Sequence, residues 1–88
     1  MDILDMAVND FGSLVKLLRV RKGWTLEQLA ERAGCSSSFI FRIEQNMRNP
    51  SLDRRLAVLI GLEVSDEVIG KYVQQVISKK EGMRRLSS

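Results

Sequence analysis

Between Thr25 and Glu44 the chain reads Thr-Leu-Glu-Gln-Leu-Ala-Glu-Arg-Ala-Gly-Cys-Ser-Ser-Ser-Phe-Ile-Phe-Arg-Ile-Glu, and no other stretch restricts the fold as much. Thr25 and Gln28 have the spacing of a capping box: the threonine oxygen accepts from the backbone N–H three residues on, and the glutamine side chain reaches back to the threonine N–H. The helix opened there carries Leu26, Leu29, Ala30 and Ala33 and stops at Gly34. Ser36 caps the next helix, whose apolar face is Phe39, Ile40 and Ile43 and which reaches Gln45 or Asn46. Gly34 and Cys35 are all that separates the two.

The flanking segments are helical as well. From Asp10, a cap, Phe11, Val15, Leu18 and Lys22 recur at helical spacing, and Gly23 ends the run. After the second capped helix, Asn49-Pro50-Ser51 reads as a turn and a new cap. Leu52, Leu56, Leu59 and Ile60 mark the helix that follows, closed by Leu62 and Val64. Ser65 caps a further helix over 65–80, with Asp66 and Glu67 at its positive end and Lys79 and Lys80 at its negative end. Its stripe of Val68, Ile69, Tyr72, Val73, Val76 and Ile77 needs a surface to bury against. Residues 1–9 form an N-terminal extension, either a turn of helix or a segment lying across the domain. Residues 81–88 read as a flexible tail. The expected fold class is all-α, which fits a chain with one proline.

Charge and composition narrow the function. In residues 11–62, nine Lys or Arg stand against Glu27, Glu31, Glu44 and Asp53, a surplus of five, whereas residues 1–10 hold three acids and no base. A positive centre attracts phosphate, although a solvated basic face would look the same. With one cysteine and no histidine, an internal disulfide is excluded and the usual metal ligand and general base are missing. No cofactor is implied, an enzyme has no support, and a cytoplasmic protein without membrane association is the expectation.

The capped helix, glycine turn and second capped helix of residues 25–44 resemble the Cro and phage-repressor class of helix-turn-helix proteins, also called the xenobiotic-response-element family. The likeness extends from about Phe11 to Ser65. It implies a compact, lambda-repressor-like domain of four to five helices over residues 10–64, with the 65–80 helix as an addition. By the same resemblance Leu29 and Ala30 pack the first capped helix on the second, Ile40 and Ile43 face the core, and Arg19 and Glu44 form an ion pair that sets the angle of the second capped helix. That helix would enter the major groove of double-stranded DNA. Ser37, Ser38, Phe41 and Arg42 would meet base edges, Arg42 through the two acceptors of guanine and Phe41 through a thymine methyl. Thr25, Gln45 and Arg48 would meet phosphates.

Three departures from the family pattern bear on this. Leu26 stands where a glutamine is frequent, Asn46 where a glycine is usual, and Arg55 where helix packing usually has an apolar side chain. Other readings stand beside the functional ones. Cys35 suits a small buried apolar site, Phe41 could fold back on the protein, Ser36 is a cap, and Lys79, Lys80, Arg84 and Arg85 suit a solvated end.

Two functions compete. One is a transcriptional regulator, a repressor acting as a homodimer on a short operator. The other is a protein-interaction module or antirepressor that keeps the fold without strong DNA binding, with a protein antagonist or co-regulator as partner. Leu14, Leu17, Ile60, Ile69, Tyr72, Val73, Val76 and Ile77 supply either a dimer interface or cover for the core within one chain. The dimer is the expectation, because two modules related by a two-fold axis read half-sites about one helical turn apart.

Overall fold

The computed structural model describes the backbone of residues 2–87 and the side chains of residues 2–79. It holds six helices: α1 (Ile3–Asn9), α2 (Phe11–Arg21), α3 (Leu26–Ala33), α4 (Ser37–Glu44), α5 (Leu52–Gly61) and α6 (Asp66–Ser87). Among the described residues there is no strand, and no helix is long and apolar enough to cross a membrane.

Local chemistry explains where each helix starts. Asp10 serves two helices at once: its N–H donates to Met6 O at 2.7 Å, closing α1, and its carboxylate accepts from Ser13 N, opening α2. The capping box at Thr25 is complete, with Thr25 Oγ1 accepting from Gln28 N at 3.1 Å and Thr25 N donating to Gln28 Oε1 at 2.8 Å. Ser36, Ser51 and Ser65 accept from the N–H groups of Phe39, Arg54 and Val68. Gly34 closes α3 at φ +71°, a conformation that costs a side-chain-bearing residue energy and glycine almost none. Asn46, at φ +57°, reverses the chain after α4, a conformation asparagine tolerates better than most residues.

The core joins all the helices. Leu14, Val15, Leu29, Ile40, Ile43, Val58, Leu59, Leu62 and Tyr72 are essentially inaccessible to water. α3 packs on α4 and α5, α2 on α4, and α1 lies between α2 and α6. Two glycines permit the closest approaches. A Cβ on Gly12 would come within 2.3 Å of the Ile43 carbonyl oxygen, and one on Gly61 within 3.2 Å of the Ala33 nitrogen. The first turn of α2 therefore seats directly on the last turn of α4.

The C-terminal helix differs from expectation in two ways. It continues to Ser87 instead of ending at 80, since apart from Gly82 the residues Glu81 to Leu86 are good helix formers and none is a proline. Its stripe also packs within the chain. Tyr72 is buried and stacks on Phe11 with ring centroids 6.4 Å apart, and Ile69 and Val76 lie against the core. Leu14, assigned from the sequence to the same dimer-or-cover surface, is likewise fully buried, and Leu17 is partly so. A small core gains by covering itself, so Leu14 and Tyr72 are not free to form a dimer interface. Val73 is partly buried, while Ile60 and Ile77 remain exposed. The side chains of Lys80, Arg84 and Arg85 lie outside the described residues.

Gly12→Ala should destabilise the protein by about 1–3 kcal/mol, because the atom it meets is backbone and cannot rotate away. Urea denaturation would measure this, with a shifted midpoint and an unchanged slope.

Candidate nucleic-acid interface

The site is organised by what holds α4. Arg19, on α2, donates from Nε to Glu44 Oε2 at 2.7 Å and from Nη2 to Glu44 Oε1 at 3.0 Å. Its Nη1 donates to Trp24 O at 2.9 Å. One guanidinium thus ties together α2, the end of α4 and the segment leading into α3. The Glu44 side chain is 2% exposed and that of Arg19 15%. The hydrogen bonds to Glu44 raise the Arg19 pKa above its ordinary value, outweighing the opposite effect of burial. Two parallel charge-assisted bonds also fix an angle that a single contact would leave free.

With Ile40, Ile43 and Glu44 turned inward, the remaining face of α4 looks outward. Ser38, Phe41, Arg42 and Gln45 are exposed and Ser37 is partly buried. Ser37, Ser38, Phe41 and Arg42 converge on one shallow depression, which they share with Leu26 and Met47. Phe41 is 46% exposed and Met47 68%. Met47 had no signal in the sequence, because it follows the helix and owes its place to the reversal at Asn46.

The three residues assigned to phosphates are dispersed. Thr25 sits at the start of α3, where its oxygen is used as a cap and its hydroxyl proton stays free to donate. Gln45 ends α4. Arg48 lies in the following loop and lines a second depression with Cys35, Ser36, Phe39, Asn49, Pro50, Ser51 and Arg54. The Arg48 and Arg54 guanidinium carbons stand 5.6 and 5.8 Å from the Phe39 ring centroid. Arg54 was not foreseen from the sequence, since its neighbourhood depends on how α5 meets α4. Arg42, Arg48 and Arg54 enter no salt bridge among the described residues, which leaves three cations available on this side of the molecule. Cys35 is partly buried and burial pushes its thiol pKa up, against a weaker pull from Arg54. A thiol kept protonated in this way suits a packing role.

A short helix crossing behind a second, rigidly angled helix, with polar and cationic side chains outward, is the geometry of groove insertion. A helix-turn-helix family model matches residues 15–69, from the middle of α2 to the first turn of α6. The chain belongs to the helix-turn-helix family of DNA-binding proteins. In this helix-turn-helix, α3 and α4 are the two defining helices and Gly34-Cys35 the turn. The transcriptional regulator SinR of Bacillus subtilis is 40% identical over 55 residues, which cover 61% of this chain and 50% of SinR. The regulator SlrR of the same organism is 39% identical over 54 residues, covering 60% and 36%. SutR of Escherichia coli, also a transcriptional regulator, is 36% identical over 50 residues, covering 57% and 28%. The matched segment spans half or less of these relatives. No solved structure matches the chain.

Arg19→Met should destabilise the fold by roughly 3–5 kcal/mol by leaving Glu44 buried without a partner, whereas Arg19→Met with Glu44→Leu should cost less. Thermal or urea unfolding of the single and double variants checks the order, and a double variant weaker than the single one contradicts it.

Proposed function

We propose that this chain is a sequence-specific DNA-binding transcriptional regulator, a repressor that inserts α4 into the major groove and binds its operator as a homodimer. The observation that carries the reading is the outward face of α4: Ser38, Phe41 and Arg42 stand exposed on a helix whose other side is locked into the core, with Arg48 and Arg54 beside it in no salt bridge among the described residues. Arg42 is assigned to guanine, Phe41 to a thymine methyl, and Ser37 and Ser38 to neighbouring edges. Thr25, Gln45 and Arg48 are assigned to phosphates, and Arg54 joins them because it shares the Phe39 depression with Arg48. A cytoplasmic location accompanies this reading.

Dimerisation is supported by the small number of bases one α4 can reach and by apolar side chains left uncovered in the single chain. Val20 is 58% and Ile60 63% exposed. They stand two and three residues from the Lys22–Glu63 ion pair that joins the ends of α2 and α5.

A second reading, a protein-interaction module, is favoured by one feature: Leu26, Phe41 and Met47 make the depression beside α4 partly apolar. Binding to duplex DNA that weakens steeply with salt separates the two, since released counterions mark phosphate contacts. Salt-insensitive or absent binding would favour the module.

On an operator selected from random duplexes, Arg42→Ala should lose ~1–3 kcal/mol and relax preference at one base position. Arg48→Ala should weaken all sequences alike and reduce the salt slope by about one. Unchanged preference for the first, or a sequence-selective effect for the second, would show the roles to be misassigned. Sedimentation of the full chain should reveal a dimer that Ile60→Glu converts to a folded monomer; a wild-type chain that stays monomeric at micromolar concentration contradicts the dimer.

A further inference from the structure

Arg55 stands in the first turn and a half of α5 and is partly buried, where an unmatched guanidinium would be costly. Its donors are matched from two separate parts of the molecule. Nε donates to the Pro50 carbonyl at 2.9 Å and Nη2 to Asn49 Oδ1, both in the loop that follows α4. Nη1 donates to the Tyr72 hydroxyl at 3.3 Å, on α6. The guanidinium also lies 5.0 Å from the centroid of the Phe11 ring, on which Tyr72 stacks.

We infer that Arg55 is a positioning residue for DNA binding, which makes the placement of the Arg48 loop depend on the docking of α6. The inference rests on the function proposed above. Pro50 has no N–H to anchor it, and among the described residues the hydrogen bonds that tie Asn49 and Pro50 to the body of the protein come from Arg55. Arg48 immediately precedes Asn49 in the chain. Pinning Asn49 and Pro50 therefore sets where the Arg48 side chain leaves the backbone. Arg55 itself has its nitrogens turned to protein acceptors and does not take the role of a phosphate contact.

Tyr72 links α6 to this arrangement. The residue is 1% exposed and its hydroxyl meets Arg55. If α6 left the α1–α2 surface, Arg55 would lose the Tyr72 hydroxyl and Phe11 the ring stacked on it, and water would compete for the donors that hold the loop. Docking of α6 and loop order are then coupled, and the coupling is reciprocal: DNA that orders the loop strengthens the docking of α6. A distant helix thereby influences affinity without touching DNA, through side chains in direct contact.

The test uses the full chain with Tyr72→Phe, which keeps the ring and removes only the hydroxyl, Arg55→Met, and the double variant. In the DNA-free protein, backbone amide order parameters at Arg48, Asn49 and Ser51 should fall from the rigid range near about 0.85 toward the mobile range below about 0.6 in both single variants, with the amides of α4 unchanged. On a selected operator both should bind severalfold more weakly, with a smaller salt slope and the same base preference. The effects should be non-additive in the double variant, as expected for residues acting through one contact. Wild-type loop order in Tyr72→Phe, or a loss of thermal stability with DNA affinity and salt slope unchanged, overturns the inference. A wild-type chain that binds no duplex refutes the proposed function instead, and the DNA-free order parameters then decide whether the Arg55 contacts hold the loop.

Discussion

The presentation of α4 depends on the Arg19–Glu44 pair. A carboxylate as buried as Glu44 costs several kcal/mol in lost hydration, offset here by two hydrogen bonds from a planar cation at 2.7 and 3.0 Å. A methyl-lined contact at the same place would contribute burial but tolerate sliding. The bidentate pair tolerates little, because both oxygens and both nitrogens must stay in one plane. The third donor, Nη1, carries the same constraint to the Trp24 carbonyl just before α3. Both helices of the helix-turn-helix are thus referred to a single side chain on α2.

Close backbone contact completes what the ion pair begins. Gly12 admits the Ile43 carbonyl to the face of α2, and Gly61 admits α3 to α5. The fully buried Leu29, Ile40 and Ile43 belong to the same core. A helix gripped through backbone and charge at its C-terminal end leaves the side chains on its outward face out of the packing.

The additions at the two ends of the chain serve the same body. α1 and α6 pack on each other and on α2, and Tyr72 brings an aromatic ring into the core while presenting its hydroxyl to Arg55. A position that looked unfavourable for the packing of α5 is accommodated because its charge finds carbonyl, amide and hydroxyl acceptors together. Matched in this way, a polar group inside a small core specifies one arrangement of its neighbours.

The starts of α2 to α6 were legible in the sequence, because Asp10, Thr25, Ser36, Ser51 and Ser65 act on N–H groups three residues away and need nothing from the rest of the chain. The outward face of α4 was legible for a similar reason: once Ile40 and Ile43 are inside, helical periodicity places Ser38, Phe41 and Arg42 outside. The Arg19–Glu44 partnership came from family likeness, since nothing local joins residues twenty-five apart. Only the tertiary structure decided that residues 3–9 are a helix, that Gly12 is a contact point, that Met47 lies beside the outward face of α4 and Arg54 beside Arg48, and that Arg55 has three acceptors. It also decided which way the α6 stripe turns. An amphipathic stripe states that a surface must be covered and says nothing of whether the cover is a partner or the chain itself. That choice rests on the distance between Phe11 and Tyr72 in space, a quantity that spacing along the sequence does not contain.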